Sequence, residues 1–186
     1  PDSQGLETFT HIHQFVPEIP KIILSGLTDE SLALQAVHKG AQDYIVKGTT
    51  GFSAAARAIR YAIEQGAKSI LTSHLGRPKG EKKPAMSLRP VSVHLGKLLG
   101  VDVGFVDDCI GKSVQDAVSV LPDGGVLLLE NLRFHAEETK NDPKFAAELA
   151  ALADVYVNDA FGTAHRAHAS TVGVAELVKE KAAGLL

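Results

Sequence analysis

The run VLLLEN, residues 126–131, decides the fold. In a strand, successive side chains point to opposite faces. Four apolar residues in a row from Val126 therefore leave no polar face at all. A strand of that kind is covered on both sides, as the inner strands of parallel sheets are.

Five further runs share this character: KIILSG (21–26), DYIVK (43–47), SILTSH (69–74), VDVGFVD (101–107) and DVYVNDA (154–160). Helical patterns separate them. Asp29 and Glu30 open a helix over 31–38 that Gly40 ends, and Ala55, Ala56, Ile59, Ala62 and Ile63 mark one face of a helix over 53–65 that Gly66 stops. Residues 88–99 and 111–121 read as two more. Asn141-Asp142-Pro143 caps KFAAELAALA, with proline in the first turn. Strands alternating with helices predict an α/β fold, a three-layer α/β/α sandwich on a mainly parallel sheet of about six strands, with right-handed crossovers. No linker-like segment divides residues 1–186, so one domain is expected.

Composition narrows the function classes. The 186 residues are 45% hydrophobic with a net charge of −3, which suits a globular protein and gives no electrostatic support to nucleic-acid binding. No run reads as a membrane span or signal peptide, and the single cysteine, Cys109, suits a reducing cytoplasm. Charge is uneven, however. The segment 74–89 carries Arg77, Lys79, Lys82, Lys83 and Arg89 against Glu81 alone.

A basic loop by itself is usually solvated surface. Its place in the order of elements argues otherwise, because ligands of open α/β sheets sit at the carboxyl ends of strands. Ser25, Lys47, His74, Asp107, Arg133 and Asp159 all fall at or near that rim. His11 and His13, two apart, lie on different helix faces, and His165 and His168 lack a third ligand, so no metal site is expected. Cys109 reads as a small core residue.

From about residue 66 onward the strings SHLGRPKG, FVDDC, LLLENLRFH, DVYVNDAFGTAHRAHAS and VGVAEL resemble the N-terminal domain of phosphoglycerate kinase. The resemblance implies a Rossmann-like fold and, in the whole enzyme, phosphoryl transfer between 1,3-bisphosphoglycerate and ADP, with this domain holding the phosphoglycerate. It also implies that His74, Arg77, Arg133 and Arg166 match substrate ligands. Guanidinium forks suit both the phosphate and the carboxylate of such a ligand.

Residues 1–64 resemble instead the second half of a response-regulator receiver of flavodoxin-like fold, with Ser25 and Lys47 at the ends of its strands. The receiver's phosphoacceptor aspartate has no counterpart, and Gly48 stands where that family places proline after the lysine. Together the two resemblances imply an engineered chimera, 1–64 receiver-derived and 65–186 kinase-derived. DYIVKGTT replaces the kinase's substrate-contacting Asp-Phe-Asn segment, and Gly51 aligns with its catalytic arginine. Loss of such an arginine costs ~10³–10⁵ in rate.

The expectation is therefore a protein without catalytic activity or cofactor. Weak binding of 3-phosphoglycerate, phosphate or sulfate is the alternative, helped by a helix N-terminus near Thr163. An incomplete phosphoglycerate kinase half is the further alternative. An unpaired sheet edge would invite homodimerisation.

Overall fold

The computed structural model describes residues 22–25, 43–46, 52–160, 163 and 165–183. Lys47, Gly51, His11, His13 and the helix expected over 31–38 lie outside the described residues. The chain forms two compact units, Pro1–Tyr61 and Ala62–Leu186.

In the first unit β1 (Ile22–Ser25) and β2 (Asp43–Val46) run parallel, with Ile22 opposite Asp43 and Ser25 opposite Val46. Helix α1 (Phe52–Glu64) starts in this unit and finishes in the second. Its end is a left-handed stop: Gly66, at φ 76°, donates to the Ile63 carbonyl at 2.9 Å and Ala67 donates to that of Ala62 at 2.9 Å.

The second unit is built on β3 (Ser69–Leu71), β4 (Val103–Val106) and β5 (Val126–Leu129), all parallel in the order β3-β5-β4. The strand singled out by sequence takes the middle place, and all four of its residues are buried. Helices α2 (Arg89–Leu99) and α3 (Lys112–Ser119) pack on β4. Close approach explains Gly104 within β4, where a Cβ would lie 3.0 Å from Leu127 Cδ1.

Beyond β5 come α4 (Ala136–Thr139), α5 (Pro143–Ala150), β6 (Val155–Asn158), a π-helical turn (Ala169–Gly173), α6 (Val174–Leu177) and β7 (Glu180–Ala183). Asp142 caps α5 as expected, its carboxylate accepting from Lys144 N at 2.9 Å and Phe145 N at 3.0 Å. The α/β class with parallel strands holds, and each of the six expected strands is found. The sheets are smaller than expected: the described strands form ladders of two, three and two, not one ladder of six. The seventh strand, EKAA, pairs with β6 through its backbone and is exposed throughout, so no hydrophobic pattern announces it.

The core gathers Cys109, Val114, Leu127, Leu129, Leu132, Phe145, Ala146, Leu149, Ala169, Val174 and Val178. Among the described residues no helix is long and apolar enough to cross a membrane.

Leu129 is 0% exposed and Val155 is 57% exposed. Truncating Leu129 to alanine should lower the unfolding free energy by about 2–5 kcal/mol. The same truncation of Val155 should move it by no more than about 0.5 kcal/mol. Urea unfolding with an unchanged denaturant slope is the measurement.

Candidate anion-binding site

The chain leaving β5 passes at once from apolar to polar, and each polar residue secures a different neighbour. The Glu130 carboxylate accepts from Ser87 Oγ at 2.6 Å, Leu88 N at 2.8 Å and Asn131 N at 2.7 Å. It thereby places a negative charge at the start of α2, where the helix dipole favours one. Asn131, 0% exposed, donates through Nδ2 to the Leu75 and Met86 carbonyls at 2.8 and 2.9 Å. Its Oδ1 accepts from Leu75 N at 3.3 Å and Arg133 N at 3.1 Å. The His74–Arg77 segment is thus tied to the turn that carries Arg133.

Arg133 completes that junction. Its guanidinium donates from Nη1 to the Gly76 carbonyl at 2.8 Å, beside Arg77. Gly76 has φ 62°, and a Cβ there would stand 2.8 Å from Met86 Sδ, so glycine is favoured by both backbone and space. Partial burial lowers the Arg133 pKa first, and the positive charges of Arg166 and Arg77 lower it further while Glu138 opposes them. The Arg133 guanidinium thus lies within electrostatic reach of two others from separate parts of the sequence.

His74 faces a carboxylate that composition did not flag. Glu138, 0% exposed, holds His74 Nε2 at 2.6 Å from its Oε1. Ser170 donates to the same carboxylate twice, from Oγ to Oε1 at 2.6 Å and from N to Oε2 at 3.0 Å. His168 Nδ1 stands 3.5 Å from Oε1 and makes no hydrogen bond, and its ring meets that of His74 edge-on at 6.0 Å.

Burial alone would push the Glu138 carboxyl up. The hydrogen bonds from His74 and Ser170, with the charge on His74, bring it below the usual carboxyl range. For His168, burial pushes the imidazole down, Glu138 opposes, and His74, Arg133 and Arg166 push it down again. The interactions place His74, Arg77, Arg133, Arg166, His168 and Glu138 in one electrostatic neighbourhood.

Other sequence readings resolve differently. Thr163 lies in a 3-10 turn, its N donating to Ala160 O at 3.0 Å and its own carbonyl accepting from Arg166 N at 2.9 Å. His165 accepts from Arg166 Nε at 3.2 Å while His168 turns to Glu138, and the two histidines share no face. Asp107 pairs with Arg89 at 2.5 Å. Asp108 holds Lys82 at 3.0 Å, His135 at 2.6 Å and Cys109 N at 2.8 Å. Cys109 is buried, and that burial drives its thiol far above the usual range, as suits a core residue. Glu138, Asn131 and Ser170 were missed; HAEET reads only as the acidic first turn of a helix.

The family model for Phosphoglycerate kinase matches residues 39–186. The chain belongs to the phosphoglycerate kinase family. It is 63% identical over 135 residues to phosphoglycerate kinase of Anaeromyxobacter dehalogenans, covering 72% of this chain and 34% of the relative. It is 55% identical over 159 residues to that of Solibacter usitatus, covering 85% of this chain and 39% of the relative. The crystal structure of the Pyrococcus horikoshii enzyme superposes with a TM-score of 0.64 at 31% identity, over 90% of this chain and 40% of that one. The chain thus spans little more than a third of the length of these relatives.

These findings overturn the expectation of a designed, inactive chimera. The family model crosses the supposed seam near residue 65 and reaches back to residue 39. A match of 159 residues cannot fit within 65–186 and enters the segment read as a receiver. That reading rested on a hydrophobic pattern that unrelated α/β proteins share, with only Ser25 and Lys47 added at the strand ends.

Glu138 and Asp108 both titrate below their usual values when folded. Stabilisation of this sign is complete above the unfolded pKa, about 4 for a carboxyl, and is lost as pH falls through the lower folded value. Unfolding free energy should therefore drop on acidification below about pH 5. Glu138→Gln should be less stable at pH 7 and show a shallower acid limb. Urea titrations from pH 7 to pH 3 give both readouts.

Proposed function

We propose that this chain is the phosphoglycerate-holding part of a phosphoglycerate kinase, with His74, Arg77, Arg133 and Arg166 as the groups that receive the anion. The observation that carries the reading is the Arg133 guanidinium, bonded to the Gly76 carbonyl and within electrostatic reach of Arg77 and Arg166, on a scaffold of this family. Like charges gathered in one place repel unless something negative offsets them, and a ligand bearing a phosphate and a carboxylate supplies that charge twice over.

The reaction proposed for the complete enzyme is phosphoryl transfer to or from a nucleotide, in which positioning and neutralisation of charge do most of the work. This segment contributes the cationic wall. A cytoplasmic setting belongs to the same reading.

Titration of ¹⁵N-labelled protein with 3-phosphoglycerate should shift resonances around residues 74–77, 133 and 166, with a dissociation constant in the millimolar range. Arg133→Ala should weaken binding about tenfold or more, the worth of a hydrogen bond between charged groups. Unmoved resonances at saturating ligand would remove the proposal.

A further inference from the structure

The carboxylate of Glu138 has a place in this site that no substrate contact explains. It is wholly buried, yet its negative charge reaches His74 in the segment after β3 and Arg133 in the turn after β5. It also reaches Cys109 after β4, Tyr156 on β6 and His168 before the π-helical turn.

Ser170 pins it through backbone N at 3.0 Å and Oγ at 2.6 Å. The carboxylate is therefore fixed by the turn beneath it, and His74 is fixed by the carboxylate. Which ring nitrogen of a histidine carries the proton is set by the bond the other end makes. Here the only hydrogen-bonded nitrogen of His74 among the described residues is Nε2, to Glu138 and at 3.3 Å to Ser170 Oγ.

We propose that Glu138 is the positioning residue of the anion site: it accepts the Nε2–H of His74, fixes that ring's orientation and, while the ring is neutral, its tautomer, and leaves Nδ1 free to take up the proton with which the ring meets an anionic ligand. The ligand half of this inference rests on the phosphoglycerate reading, whereas the tautomer half does not.

A metal is the rival explanation, because donor atoms of His74, Glu138 and His168 lie within 4.8 Å of one another. Distances decide against it. Ligand bonds of 2.0–2.1 Å in a tetrahedral zinc site hold donor atoms about 3.3 Å apart. The 2.6 Å between His74 Nε2 and Glu138 Oε1 is instead that of a short hydrogen bond. Oε1 already accepts from Ser170 Oγ at 2.6 Å as well.

Long-range ¹H–¹⁵N correlation of the histidine rings in the whole, ligand-free chain, on the alkaline side of their titration, reads the tautomer directly. His74 should show the Nε2–H form alone. The Nδ1–H form or an average of the two would overturn the proposal, and this arm needs no variant.

The second arm measures 3-phosphoglycerate affinity in His74→Ala, Glu138→Gln and the double variant. If Glu138 acts through His74, each single change costs about tenfold and the double costs about the same as either. Losses that multiply toward a hundredfold would show that Glu138 acts on its own, and sink the idea. Should the unaltered chain bind no 3-phosphoglycerate, the functional reading fails and the tautomer arm alone judges the positioning.

Discussion

A strand buried on both faces must return its chain to solvent without stranding polar groups, and the way β5 does so organises everything around it. Val126 to Leu129 bury completely, and Glu130 and Asn131 are buried directly after them. Buried polar groups are costly unless they are hydrogen-bonded. Glu130 satisfies its carboxylate on the opening turn of α2, and Asn131 satisfies its amide on the carbonyls of Leu75 and Met86. The same bonds that discharge this obligation fix where His74 and Arg77 stand relative to Arg133. Geometry at the site follows from polar accounting in the core.

Glu138 repeats the theme with a full charge. A buried ion pair seldom adds much net stability, since desolvation offsets most of the attraction, but removing one partner leaves an uncompensated charge and costs several kcal/mol. The arrangement therefore makes better sense as a device of position than of stability. The negative charge of Glu138 opposes the effect that Arg166 and Arg77 have on the Arg133 guanidinium. His168, close by and without a hydrogen bond at Nδ1, is held in a form that adds no further positive charge, in keeping with its lowered pKa.

Much of the fold was legible, and the reason is periodicity. Runs of β-branched and leucine residues located β1 to β6, while Gly66, Asp142 and Pro143 located helix ends through backbone chemistry that needs no tertiary context. The ladders were not legible. Which strand pairs with which depends on long-range packing, and β7, with no apolar alternation, is a strand only because β6 offers it carbonyls and amides. At the site, the cations were visible because arginine and histidine stood in specific strings. Glu138 was invisible because the sequence records neither its burial nor the two donors that arrive from Ser170, thirty-two positions later.

The misplaced seam near residue 64 comes from the same asymmetry. Hydrophobic patterning specifies that a segment is a strand or a helix, and any apolar residue of about the right size satisfies it. Two families that both alternate strands with helices therefore compete on equal terms wherever only the pattern speaks. Sets of polar residues that bond across several strand ends are different, and Ser25 and Lys47 alone are not such a set. His74, Asn131, Arg133 and Glu138 each need a particular donor or acceptor at a particular distance, so substitution by a merely similar residue breaks a bond. A family likeness resting on such positions carries more weight than one resting on the strands between them. The second unit is rich in these positions, and the family match covers it throughout.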